Sequence, residues 1–178
     1  MKHIAVLLSI SACLLLLGCS SSAHPVQAAQ GPRNIIIMVA DGAGFNHFAA
    51  AAAHNGEDQI SAIFRQFPVR LAAATYAAGG SYDPDKAWAD PASLKSGATD
   101  SAAAATALST GTKTKNGALG VDADEKSVMH LMEIAESIKK STGVVTSVPF
   151  SHATPAGFIV HQAGRNSYGK IAEEMIQS

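Results

Sequence analysis

The chain predicts an α/β fold, a central and largely parallel sheet sandwiched between helices. NIIIMVA at 34–40 is a continuous apolar run entered from a charge and left at Asp-Gly, the pattern of a strand covered on both faces. A second buried strand is predicted at 144–148, and segments of helical character alternate with these runs, which argues for a layered sheet. The side chains suited to chemistry sit just beyond the predicted strands, where open α/β sheets bind ligands.

The elements follow in order. After the first strand, FNHFAAAAAHNG predicts a helix over 45–54 closed by Asn55-Gly56. A shorter helical piece is expected at 60–67, ending before Pro68, and a strand at 69–76. GGSYDPDKAWADPASLKSG at 79–97 is polar and rich in breakers, so it predicts a surface loop or lid edge; Tyr82 and Trp88 are read there as loop residues rather than pocket lining. An alanine-rich helix should start at Ser101 and end at Thr110-Gly111, followed by a turn through Asn116-Gly117. Over 127–140 an amphipathic helix is predicted, with Val128, Leu131, Met132, Ala135 and Ile138 on one face and Glu133, Glu136, Lys139 and Lys140 off it. After the strand at 144–148, Pro155 opens a helix through about residue 163, and 168–176 begins another. The sequence contains no internal repeat and no coiled-coil heptad.

The first segment stands apart. MKHIAVLLSISACLLLLGC carries one lysine and then an apolar run too short to span a bilayer, which reads as an export signal. Leu16, Leu17, Gly18 and Cys19 form a lipobox, so residues 1–18 are expected to be removed and Cys19 acylated. An ordinary signal cut near Ala28 and Ala29 is the alternative. Residues 19–32 form a polar tether. Loss of 1–18 leaves 12 basic residues against 14 acidic ones, which offers no electrostatic case for nucleic acid. It also leaves no cysteine in the folded part, and hence no disulfide or thiol chemistry. About 145 residues remain from Arg33 onward, enough for one hydrophobic core.

Three places carry chemistry. Asp41 follows the first strand; it suits a cation, or simply starts the Asp-Gly turn. Ser101 follows Asp100 at a helix start, where unpaired N–H groups and the dipole favour an anionic group on or leaving its oxygen. Plain capping is the other reading of this pair, although Ala102 to Ala105 also keep the helix slim enough for close approach. No histidine is locally positioned to activate Ser101, and metal coordination is one way to activate a hydroxyl. Asp41 and Thr154 offer oxygen ligands to a hard cation. His152 could hold a borderline metal or bond to a metal-bound water; equally, SHAT could be a capped helix start. Arg165 presents the rigid fork that matches two phosphate oxygens, or is a surface arginine. His161 reads as a packing or surface residue.

TDSAAAATALSTGTKTKNGALGVD at 99–122, NIIIMVADGAG at 34–44 and STGVVTSVPFSHATPAGFIVHQAGR at 141–165 together resemble the N-terminal part of an alkaline phosphatase. The likeness runs from Arg33 to the last residue. It implies a metal-dependent phosphomonoester hydrolase acting through a phosphoserine at Ser101, with two zinc ions and one magnesium ion. Asp41 would bridge the second zinc and the magnesium, Thr154 would ligate the magnesium, and Arg165 would clamp the phosphate oxygens, oriented by Asp100. His152 stands where some bacterial members carry aspartate, which leaves the third metal less defined than the zinc pair. The sulfatase pattern, Cys or Ser followed by x-Pro-x-Arg, is absent around Ser101. The resemblance implies phosphomonoesters and inorganic phosphate as partners and, often, a homodimer. An exported, lipid-anchored protein facing the periplasm or cell exterior is expected. Most of the family's zinc ligands lie in its later half, so 33–178 is expected to be the N-terminal portion of a catalytic domain, incomplete in fold and inactive alone. A lipid-anchored phosphate- or metal-binding module without turnover and a non-enzymatic surface protein are the competing readings.

Overall fold

The computed structural model describes residues 32–56, 64 and 66–178. The predicted export signal, Cys19 and most of the predicted tether lie outside them, as does most of the helical piece predicted at 60–67. The described residues form seven helices: α1 (Phe45–His54), α2 (Pro84–Ala89), α3 (Ser93–Ser96), α4 (Ser101–Thr110), α5 (Leu131–Ser137), α6 (Ala153–Ala156) and α7 (Tyr168–Gln177). None is long and apolar enough to cross a membrane. The chain divides into two units, one ending at Val39 and one running from Ala40 to Ser178. In the first, residues 32–39 are irregular and exposed; the helices lie in the second.

The α/β expectation is not met: the described residues contain no strand and no sheet, only the isolated antiparallel bridges Leu119–Gln162 and Val121–Ser127. The three predicted strands are irregular and largely in solvent; Met38 is 90% exposed, Leu71 88%, and Val145 fully. The reason is local against non-local bonding. A helix closes its N–H and C=O groups within one segment, whereas a strand closes them only against another. Among the described residues the apolar runs find no such partner.

The helices obey their local signals. Asp100 caps α4 by accepting the Ala103 N–H at 2.9 Å, and Gly111 ends the helix at φ +72°, a left-handed position that glycine fills at no steric cost. In the segment predicted as a loop, Asp83 caps α2 with Pro84 at its first position, a start signal present in DPDKAWA. Two predicted helices are cut short by tertiary pairing. Val128 donates to the Gly120 carbonyl at 2.9 Å, which holds 127–130 extended, so α5 starts only at Leu131. Likewise Leu119 and Gln162 exchange both backbone bonds at 2.8 Å, which stops the helix predicted through residue 163; α6 itself spans only Ala153–Ala156, with His152 rather than Thr154 at its cap position.

The core sits where α4 meets α6. Ala102, Leu119, Ala153, Ala156, Val160 and Ile171 form it, with Ile159 and Met175 packed alongside. The alanines of α4 answer a packing demand: Ala102, Ala103 and Ala105 are buried, and Gly157 comes so near that a Cβ there would lie 2.6 Å from the Ala105 Cβ. Buried hydroxyls tie the layer together. Thr106 donates to the Ala118 carbonyl at 3.1 Å and accepts the Gly120 N–H at 3.0 Å, and Ser109 donates to the Gly157 carbonyl at 2.5 Å.

Candidate active site

The start of α4 gathers side chains from four stretches of sequence. Ser101 Oγ donates to Asp41 Oδ2 at 2.8 Å, and Thr154 Oγ1, from α6, donates to the same oxygen at 2.9 Å. The hydroxyl bonds from Ser101, then Thr154, hold the Asp41 carboxyl below its ordinary value against the opposing pull of burial. An ionised Asp41 with a lowered pKa is a poor base, so this contact orients the Ser101 hydroxyl without activating it.

Asp100 organises the other half. Its Oδ1 caps α4, while Oδ2 accepts the Gly117 N–H at 3.0 Å and Arg165 Nη1 at 3.0 Å. Arg165 is also held by its backbone, N–H to the Gly117 carbonyl at 2.8 Å. Its Nη2 lies 3.4 Å from His152 Nε2. Arginine only donates, so Nε2 is the acceptor in that contact and Nδ1 carries the proton; Nδ1 is buried without a partner. These contacts engage two of the guanidinium's five N–H groups, leaving others to meet an anion.

Asp41, Ser101 and Thr154 thus form one hydrogen-bonded group and Asp100, Arg165 and His152 another, joined through the Asp100–Ser101 peptide. His152 meets Arg165 rather than the Asp41 oxygen. The donor set fits a hard cation: one carboxylate and two hydroxyls, with oxygens 2.8–2.9 Å apart, near the ~2.9 Å between adjacent oxygens of an octahedral magnesium site. For two zinc ions the described cluster supplies Asp41 and Ser101, short of two closed coordination shells.

The sequence reading missed a second cluster. His130 Nδ1 lies 3.0 Å from Glu133 Oε2, and His161 Nε2 3.4 Å from Glu133 Oε1. This group can bind a metal ion, with one ligand atom from each residue and all three within 4.8 Å of one another. Burial, foremost, pushes the His130 pKa down. At Glu133 burial pushes up, but the His130 amide and the His161 ring outweigh it, and its pKa is lowered. The available signal was His-x-x-Glu at the start of an apolar helix, a capping-box spacing; the His130 N–H indeed donates to Glu133 Oε2 at 2.7 Å. Tyr82 bonds Thr75 at 3.1 Å, and Trp88, 91% exposed, lies within α2 rather than in the predicted loop.

The start of α4 thus carries a hydroxyl, a carboxylate hydrogen-bonded to it and an arginine tethered by Asp100. The alkaline phosphatase family profile matches residues 32–178, and the chain belongs to that family. It is 36% identical over 142 residues to alkaline phosphatase 4 of Bacillus subtilis, covering 79% of this chain and 28% of that one. With the alkaline phosphatase of Escherichia coli it shares 36% over 140 residues, again 79% and 28%. Among solved structures, a cold-active alkaline phosphatase from a psychrophilic Shewanella species superposes with a TM-score of 0.57 at 32% identity, covering 73% of this chain and 30% of that one. The Thermus thermophilus alkaline phosphatase gives 0.54 at 31%, covering 73% and 24%. The chain therefore spans under a third of the length of these relatives.

Proposed function

We propose that the protein is the Ser101-bearing part of a phosphomonoester hydrolase that works through a phosphoserine. The observation that carries this is the Ser101–Asp41 contact at the positive end of α4, with Arg165 fastened by Asp100 to the same helix start. Bound metal, one magnesium and two zinc ions in this reading, would supply the acidity that turns the hydroxyl into a nucleophile and stabilise the departing alcohol's oxygen. Asp41 and Thr154 would hold the magnesium, and Asp41 and Ser101 would contribute to a zinc site. The remaining roles belong to the chain itself. Asp41 keeps Ser101 Oγ in one rotamer, facing the phosphorus. The first-turn amides of α4 and the free N–H groups of Arg165 draw charge from the non-bridging oxygens as it builds. Asp100 and His152 position Arg165 from behind and leave its outer edge to the phosphate.

Export with a lipid anchor at Cys19 and a tether through residue 32 completes the proposal, with residues 33–178 as the N-terminal portion of the catalytic domain and phosphomonoesters and inorganic phosphate as its ligands. Two closed zinc sites cannot be assembled from Asp41 and Ser101 alone, so the 178-residue chain by itself is expected to bind phosphate without turnover. The test is phosphate transfer: a version extended to the relatives' length, supplied with zinc, magnesium and a phosphomonoester at low pH, should carry phosphate on Ser101 by mass spectrometry. Ser101→Ala should remove it. Label persisting in that variant, or acquired after both metals are stripped, would refute the reading.

A further inference from the structure

The His130, Glu133 and His161 cluster shares no residue with the Ser101 site, and its hydrogen bonding does not close. His161 Nδ1 lies 2.6 Å from the Gly120 carbonyl; a carbonyl only accepts, so Nδ1 carries the ring proton. In a neutral ring Nε2 is then a bare lone pair, yet it faces Glu133 Oε1 at 3.4 Å, another acceptor. A second proton on His161 or a bound cation would each satisfy that contact. A second proton on His161 would place an imidazolium against the His130 ring, stacked 4.3 Å away at 30°. A bound cation satisfies the same two acceptors and one more. Both rings turn an edge to the same carboxylate, so His130 Nδ1, within 3.0 Å of Glu133 Oε2, offers a third donor once its proton moves to Nε2. That Nε2 is buried and without a hydrogen-bond partner, with only the Val160 carbonyl beside it favouring a proton there.

We propose that His130 Nδ1, His161 Nε2 and the Glu133 carboxylate form a zinc-type divalent metal site separate from the Asp41, Ser101 and Thr154 cluster. Two imidazoles and a carboxylate with a fourth position open are a regular zinc donor set. The three ligand atoms, within 4.8 Å of one another, need close only modestly towards the ~3.4 Å spacing of a tetrahedron with ~2.1 Å bonds. The open position is on the solvent side, since the Glu133 and His161 side chains are 45% and 22% exposed. The surroundings fit as well. The His161 N–H on the Gly120 carbonyl is the outer bond that usually orients a metal-bound histidine, and the His130 amide anchors Glu133. Gly120 makes room for the His130 ring, because a Cβ there would lie 2.4 Å from Nε2. Such an ion would clamp the start of α5 to the 119–162 pairing.

The test uses the 178-residue chain carrying Asp41→Asn, which disables the Ser101 site, titrated with zinc by equilibrium dialysis and with cobalt by visible absorption. One equivalent should bind, with the strong absorption of tetrahedral cobalt. Glu133→Gln, which keeps the helix cap, and His161→Gln should each weaken binding about tenfold or more with far-UV circular dichroism unchanged. If His161→Gln fails to fold, Glu133→Gln decides. No bound metal, an imidazolium with N–H on both His161 nitrogens, or binding indifferent to Glu133→Gln would each overturn the proposal.

Discussion

Asp100 joins three parts of the site, because one carboxylate caps α4, accepts the Gly117 N–H and holds Arg165. Asp100→Ala should cost about 2–3 kcal/mol, the sum of a lost cap and a lost charged hydrogen bond, read as a lower midpoint in urea. Asp100→Asn can keep the cap through its one oxygen but turns an NH2 toward the Gly117 N–H and Arg165, so it should recover only the cap's share, about 1 kcal/mol, while still loosening Arg165; equal destabilisation by both variants would contradict the division of roles. Arg165→Ala should weaken phosphate binding by about tenfold or more, and Arg165→Lys should not restore it, since a lysine cannot reproduce the fork. Calorimetric titration with inorganic phosphate checks both. These residues were legible as types in the sequence, because a carboxylate before a helix-opening serine, or an arginine after a turn, suggests its chemistry locally. That His152 faces Arg165 rather than the Asp41 oxygen was not legible, since the two positions meet only through the fold.

At the scale of elements, α4 and α6 approach as closely as their small residues permit. Gly157→Ala would drive a Cβ to 2.6 Å from the Ala105 Cβ and 3.4 Å from its carbonyl carbon. The helices must separate, at about 1–3 kcal/mol, visible as a lower thermal midpoint without loss of helix at low temperature. A midpoint unchanged within error would mean that the contact is slack. The ends of α1, α4 and α7 follow from caps, glycines and alanine content, and the sequence located them to within a residue. Those of α5 and α6 did not follow, because Val128 and Gln162 bond instead to Gly120 and Leu119. Helical periodicity carries no trace of a competing backbone partner outside the segment, whether eight residues away, as Gly120 is from Val128, or forty-three, as Leu119 is from Gln162. The His130 and Glu133 pairing shows the same limit: its capping spacing is local, but His161 arrives from the far side of the 119–162 bridge.

For the whole molecule, the apolar stretches at 35–39, 69–71 and 145–150 lie largely open to water. Apolar area of that extent binds hydrophobic dyes. The 178-residue chain should therefore enhance anilinonaphthalene sulfonate fluorescence at neutral pH while keeping a helical far-UV spectrum; no enhancement would show that those stretches are covered. The sequence by itself determined the starts of α1, α4 and α7 and the family blocks, and supplied the side-chain types found at the Ser101 site, because caps, turn residues and donor chemistry are properties of a few adjacent residues. Only the tertiary structure decided that no sheet forms among the described residues, that Asp41, Ser101 and Thr154 share one oxygen, and that two histidines close on Glu133. Helix bonds are made inside a segment, whereas strand ladders and converging side chains need partners that folding alone brings near.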